Sequence, residues 1–415
     1  MTAPMTQQTQ NDAALRRRAA RVIPGGMYGH QSAGRLPPQY PQFFARAEGT
    51  RLWDVDGREY LDLMCSYGPV VLGHRHPRVE AAARAQAERG DCFNGPGPVM
   101  VELSELLVDT VRHADWSVLS KNGTDAMTMC LTIARATTGR RKVLRAGGAY
   151  HGAAPWCTPS TAGVLPEDRA HLVAYRYNDL DSVRAAVAGC EDDLAAIVVS
   201  PFRHDAGFDQ EVADPAFARG VRALCDSTGA ALILDDVRAG FRLHHGASWE
   251  PLGVEPDLSG WSKAIANGHP LAAALGNDRF RGGAEQVYVT GSFWFSAVAM
   301  AAGIATLREL DETGAVATMV ARGQQLRHGL AAQAEAQGLS VRQTGPVQMP
   351  FLTFDGDVEF ARANVFAGEA ARRGVYLHPW HNWFVSAALS EHDVAQALLV
   401  TDDAFAAVRR AFGAG

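Results

Sequence analysis

The sequence predicts an α/β protein: a mostly parallel β-sheet covered by helices, with a smaller α+β domain built from both termini. Three observations predict it. Between about residues 98 and 275, helical and strand patterns alternate. Within that stretch LAAIVVSPF (194–202) and AALILDDV (230–237) are nearly continuous apolar runs, as strands buried on both faces are. Near residue 308 the alternation gives way to a long helix with polar faces and then to shorter strands.

The elements follow in order. Residues 1–12 are polar and read as a loose tail, and 13–24 read as a short amphipathic helix stopped by Pro24. Residues 25–49 form an irregular arm rich in Gly, Pro and aromatics. RLWDVDGREYLDL (51–63) reads as a hairpin turning at Asp56-Gly57. Helices are expected at about 77–90, 99–113, 125–139, 182–189 and 217–229, the last ended by Gly229. Besides the two apolar runs, short strands are expected at 142–147 and 258–261. Beyond 308, a helix at 317–337, strands around 340–354 and 374–387, and a helix at 394–411 complete the chain. The domain division expected is 1–12 tail, 13–65 arm and part of the small domain, 66–307 large domain, 308–415 small domain.

Composition excludes several classes. The chain has 415 residues and a formal net charge of −6, with no basic run beyond Arg16–Arg18 and Arg140–Lys142, so a nucleic-acid partner is not expected. No apolar run reaches the length of a membrane span, and the N-terminus lacks a secretory pattern. The six cysteines are scattered without a C-x-x-C pair, which points to reduced thiols in a cytoplasmic protein rather than a metal site or disulfide framework.

Of 39 basic side chains only three are lysines: Lys121, Lys142 and Lys263. Arginine is too basic to form an imine, whereas a desolvated lysine can. Lys263 follows a strand candidate and sits among small residues, so it is the first candidate for a Schiff base. Lys121, in a helix-entry loop, and Lys142, in a basic cluster, compete with it. The strand AALILDDV ends on Asp235 and Asp236, and carboxylates leaving a buried strand are costly unless paired or used. In KNGTDAM (121–127), Gly123 permits close backbone approach, Thr124 can cap a helix, and the helix start offers N–H groups to a phosphate. Tyr150, in YHG after a strand candidate, supplies an aromatic face. An imine lysine, a carboxylate, a phosphate cradle and a stacking ring together suit pyridoxal phosphate (PLP).

These segments resemble a known family. YLDLMCSYGPVVLGHRHP, NGTDAMTMCLTIARATTGRRKVLRAGGAYHG, VRALCDSTGAALILDDVRAGFR, PDLSGWSKAIANGHP, SFWFSAVAMAAGIATL and GVYLHPWHNWFVSAALSEHD stand in the family's order. Over roughly residues 20–410 the chain is similar to class III aminotransferases of PLP fold type I, nearest the glutamate-1-semialdehyde aminomutase branch. The resemblance implies that Lys263 carries the cofactor and shuttles the proton. It implies that Asp235 holds the pyridine nitrogen protonated, and that Val237 and Tyr150 cover the two ring faces. It implies that Gly123 and Thr124 bind the phosphate. Ser292 aligns with a threonine that reaches the cofactor phosphate of a neighbouring subunit, implying a homodimer with shared sites.

The departures fall at substrate positions. Asp236 stands where the family commonly has Glu, Ser200-Pro201 replaces Glu-Pro, and Phe295-Ser296-Ala297 replaces Gly-Asn-Pro. The aminomutase's substrate arginine has no match after Pro24-Gly25-Gly26, and HPWHNWF stands where its C-terminal-loop Glu would be. Tyr67 matches an aromatic beside the family's substrate; His30, Arg35, Arg203, Trp380 and His381 are further pocket candidates. The expected activity is an aminotransferase acting on a small-molecule amine or amino acid. The alternative is an aminomutase, which needs no external acceptor. A nucleotide-binding reductase would need a G-x-G-x-x-G after a strand, which is absent. A non-catalytic cofactor binder would not need Lys263 and Asp235.

Overall fold

The computed structural model describes residues 10–413 apart from 33, 35 and 38. The chain divides into two compact units: Gly68–Leu72 with His76–Thr318, and the segments up to Tyr67, Gly73–Arg75 and Met319 onward. The expected boundary at 308 falls inside helix Ala297–Glu312, which stays whole in the larger unit. Among the described residues no helix is long and apolar enough to cross a membrane.

The larger unit is built on seven strands. In chain order they are β1 (Trp116–Ser120), β2 (Lys142–Ala146), β3 (Leu172–Tyr175), β4 (Leu194–Val199), β5 (Ala231–Asp235), β6 (Leu258–Trp261) and β7 (Ala272–Gly276). Their order in the sheet is β1-β7-β6-β5-β4-β2-β3. Only β7 runs antiparallel to its neighbours. The sheet is thus the mostly parallel one expected. β4 and β5 are buried at every position, which is why both read as unbroken apolar runs. Helices α1 (Pro77–Ala87), α2 (Pro98–Thr110), α3 (Gly123–Thr138), α4 (Leu180–Ala188), α5 (Pro215–Thr228) and α6 (Ala297–Glu312) accompany it. Met127, Cys130 and Ile133 of α3 belong to one core cluster with Val198 and Ile233.

Several expectations are corrected. The strand expected at 194–202 ends at Val199, because Pro201 has no N–H for a ladder. Phe202–Arg203 instead pairs with Glu211–Val212 as a separate hairpin. β1, β3, β7 and α6 were not anticipated. β7 reads AAALG, and alanine and glycine are poor strand formers, so its place comes from pairing with Trp116–Ser120 on one side and Leu258–Trp261 on the other.

In the smaller unit, strands Phe44–Glu48, Arg51–Asp54, Glu59–Asp62 and Val375–Tyr376 form one sheet, and Val341–Thr344 pairs with Phe351–Phe354. The hairpin turns where expected, with Asp54 Oδ1 accepting from the N–H groups of Asp56 and Arg58, both at 2.9 Å. The tail does not extend to residue 12. Helix Gln10–Val22 includes Asp12, whose Oδ1 accepts from the N–H groups of Gln42 at 2.9 Å and Phe43 at 3.0 Å. Residues 377–387 are not a strand beyond Tyr376. Their N–H groups go elsewhere: Trp383 to Pro350 O and Phe384 to Leu63 O.

Candidate functional site

In the larger unit the carboxyl ends of β4, β5 and β6 lie level. Val199 pairs with Leu234, and Asp235 pairs with Gly260. Parallel sheets present ligand-binding groups at this edge. Asp235 closes β5 and is 4% exposed. Its Oδ2 meets His151 Nδ1 at 2.6 Å, and its Oδ1 accepts from Val237 N–H at 3.2 Å. A buried carboxylate is thereby paired, with one lobe turned to an imidazole. His151 lies parallel to Trp156 with ring centroids 6.2 Å apart, and the Trp156 indole N–H donates to Thr128 Oγ1 at 3.1 Å. Of YHG the sequence points only to Tyr150; the fold adds His151 and Trp156.

Lys263 begins the turn just after β6, with a left-handed φ of 49° that a lysine adopts only when its surroundings impose it. Asn267 closes that turn with φ 43°, and its Oδ1 accepts from the N–H groups of Val71 and Leu72 at 3.0 and 2.8 Å. Burial lowers the Lys263 amine to about 7, Arg238 pushes the same way, and Asp235 opposes. An amine in that range is substantially neutral at physiological pH and nucleophilic. Arg238 is itself buried, with Asp235 and Asp205 among the negative groups that offset it.

Helix α3 starts two residues earlier than expected, at Gly123. Asn122, not Thr124, is its N-cap, in a reciprocal capping box with Asp125. Thr124 lies in the first turn, and its Oγ1 accepts from Ala153 N–H at 3.1 Å. A Cβ on Gly123 would fall 2.5 Å from Val237 Cγ1, and one on Gly152 would fall 2.5 Å from Thr124 Oγ1. Gly123, Thr124, Val237 and Gly152 are therefore neighbours, and glycine is obligatory at both positions. Tyr150 is half-buried beside them in the chain, its hydroxyl shifted up by burial.

The remaining lysines differ. Lys142 is on β2 and donates to Ala170 O at 3.2 Å. Lys121 precedes the N-cap, and its Nζ, without a hydrogen-bond partner among the described residues, is lowered by burial. Ser292 lies in an exposed turn. Arg203 is tied to Asp205 at 3.1 Å and Glu211 at 2.7 Å, inside its own hairpin.

In the smaller unit the structure gathers Tyr67, Trp380 and His381 with His378, which the sequence reading had not singled out. Tyr67 is the last of three successive left-handed residues, Cys65, Ser66 and Tyr67, with φ 47°, 55° and 62°. Its hydroxyl accepts from Gln31 Nε2 at 2.9 Å. Its ring meets His381 and His378 edge-on at 5.2 and 6.0 Å, and His378 meets Trp380 at 4.4 Å. Arg35 and the side chain of His30 lie outside the described residues.

The larger unit fits PLP in its donor set. It has a paired carboxylate for a ring nitrogen, a near-neutral amine for an aldehyde, and a glycine-bordered helix start for a phosphate.

Comparison with known proteins agrees. The family model for class III aminotransferases matches residues 35–409. The aminopentol aminotransferase of Sphingopyxis macrogoltabida is 52% identical, covering 96% of this chain and 94% of that one. The glutamate-1-semialdehyde 2,1-aminomutase of Desulforamulus reducens is 32% identical over 98% of this chain and all of its own length. The fold matches the FumI protein of Sphingopyxis sp. MTA144, solved in its PLP internal aldimine form, with a TM-score of 0.96 and 97% of each chain covered. A transaminase solved with PLP bound matches at a TM-score of 0.90 and 26% identity, over 98% of this chain and 99% of that one.

Proposed function

We propose that this chain, which belongs to the class III aminotransferase family, binds and works its cofactor through Lys263. It is a PLP-dependent aminotransferase of fold type I, passing an amino group from a donor to a carbonyl acceptor. Bound PLP supplies the electron sink that makes the carbon bearing the amine acidic. Lys263 would hold the cofactor through its amine and would serve as the general acid–base that carries the proton the reaction moves. Asp235, oriented by His151, keeps a proton on the ring nitrogen. The N–H groups at the start of α3 hold the phosphate with Thr124, while Val237 and Tyr150 cover the ring.

The observation that carries this reading is the pairing of Asp235 with His151 at a strand end level with the one that delivers Lys263. The test is spectral. Purified protein absorbs in the visible range, and Lys263→Ala loses that band while remaining folded. An unchanged band in the variant would refute the reading.

The substrate is an amino polyol related to aminopentol. The 52% identical relative supports this, as does the character of the Tyr67 group. Tyr67, His378, Trp380 and His381 offer hydrogen-bonding groups to hydroxyls, and none of them is a permanent cation for a carboxylate. The expected result is turnover of aminopentol with a keto-acid acceptor and consumption of that acceptor in equal amount. Turnover without an acceptor would favour the aminomutase.

The working form is a cytoplasmic homodimer in which Ser292 reaches the partner's phosphate site. Its turn is flanked by Tyr288, 89% exposed, and Phe293, 69% exposed, apolar surface suited to a second copy of the chain. A monomeric mass in solution at working concentration would contradict this.

A further inference from the structure

Lys263 stands on a strained piece of backbone, and one side chain ties that backbone to the rest of the larger unit. The turn Lys263–Ala266 follows β6 and is closed by Asn267. With φ 49° at Lys263 and 43° at Asn267, a left-handed residue stands at each end. The conformation is unfavourable for a lysine, and residues kept in it are held by their surroundings. Bonds inside the loop close it on itself without fixing its place. Ser262 Oγ donates to Leu271 O at 3.0 Å, Ile265 N–H to Ser262 O at 3.2 Å, and His269 N–H to Ala266 O at 3.0 Å.

Asn267 reaches out of the loop. It is 5% exposed, and its Oδ1 accepts from the N–H groups of Val71 and Leu72 at 3.0 and 2.8 Å. Two donors occupy the two acceptor sites of that oxygen. The segment it grips is anchored separately. Val71 is fully buried, and Gly68 O accepts from Nη2 of Arg242, on the chain that leaves β5, at 2.6 Å. A second tie is longer and less buried: His269 Nε2 meets Glu80 Oε1 of α1 at 3.3 Å. A position that needed only a left-handed φ would be met by glycine, as the next residue, Gly268, meets it with φ 98°. Asparagine tolerates the same conformation and adds the acceptor.

We propose that Asn267 is a positioning residue for Lys263. It clamps the turn to Gly68–Leu72 and thereby fixes where the Lys263 amine stands at the strand-end edge. This rests on the reading that Lys263 holds PLP. Asn267 acts through the backbone of the turn and takes no chemical part in the reaction.

The test separates the acceptor from the backbone conformation. Asn267→Gly keeps the left-handed φ accessible and removes the acceptor, whereas Asn267→Asp keeps both. Cofactor-free wild type and variants are mixed with PLP well below their melting temperatures, and the visible band is followed per folded chain. In Asn267→Gly the band should form roughly tenfold or more slowly and with a shifted maximum. Asn267→Asp should keep most of the wild-type rate. A Gly variant that melts lower yet forms the band at the wild-type rate and wavelength has lost stability alone, and would overturn the proposal. So would an Asp variant as slow as the Gly variant. If Asn267→Gly does not fold, Asn267→Ser serves in its place, because its hydroxyl is too short to reach both N–H groups. Failure of the parent reading has a separate sign, persistence of the visible band in Lys263→Ala.

Discussion

The strand-end edge of the larger unit and the Tyr67 group of the smaller unit are both rich in rings and both mix buried with half-buried residues, yet they differ in charge. At the strand ends, Asp235, Arg238 and Lys263 are ionisable groups set against one another, with His151 bonded to the carboxylate. In the smaller unit, Tyr67, Gln31, His378, Trp380 and His381 carry no permanent charge and are arranged by ring contacts and the Gln31–Tyr67 hydrogen bond. The first arrangement sets proton affinities, which reaction chemistry requires. The second supplies ring shape and hydrogen-bonding groups, to which the proposed reading gives the choice of substrate. Substitutions in the first should therefore abolish turnover whatever the substrate, and substitutions in the second should change which substrate is used.

The largest effect is expected at Asp235. Asp235→Asn removes the carboxylate proposed to partner the ring nitrogen, and kcat should fall roughly hundredfold or more for every amine tested. A loss confined to one amine would break the contrast. Next is Gly152→Ala. The added methyl meets Thr124 Oγ1, and the φ of 129° is one that alanine rarely adopts. Cofactor retention should fall about tenfold or more in equilibrium dialysis, with the fold kept by circular dichroism. Tyr67→Phe removes only the hydroxyl that accepts from Gln31, so KM for a hydroxylated amine should rise a few-fold, on the order of one hydrogen bond, while kcat changes little. An equal effect on a simple alkylamine would erase the assigned difference between the two regions.

The smallest effect concerns pH. Burial raises the Asp236 carboxyl to about 7, while its Oδ2 accepts from Ser248 N–H at 3.0 Å. In the unfolded chain this group ionises near 4. Between about pH 4 and 7 the folded form therefore holds more protons, and stability from this group declines as pH rises through that window. Asp236→Asn should flatten that part of the stability profile, measured by denaturant midpoints from pH 5 to 8. An unchanged slope would show that Asp236 is not its source.

The α/β plan was legible because β4 and β5 are buried throughout and leave continuous apolar runs. β7 was not legible, since its alanines are held by neighbours on both sides rather than by their own preference. At the site, Lys263 stood out because almost every other basic residue is arginine. Asp235 stood out as a carboxylate ending an apolar strand. His151 did not, because its partner is 84 residues away and no local pattern reports such a contact. The start of α3 was misplaced because Asn122 and Thr124 are both good caps. The reciprocal bonds between Asn122 and Asp125 decide in favour of Asn122.

The most direct test of the central claim uses the scarcity of lysine. Borohydride reduction of the loaded protein fixes any imine as a stable secondary amine, and peptide mass mapping then locates it among Lys121, Lys142 and Lys263. The phosphopyridoxyl mass should appear once, on the peptide containing Lys263. Its appearance on Lys121 or Lys142 instead, or on no lysine at all, would contradict the account.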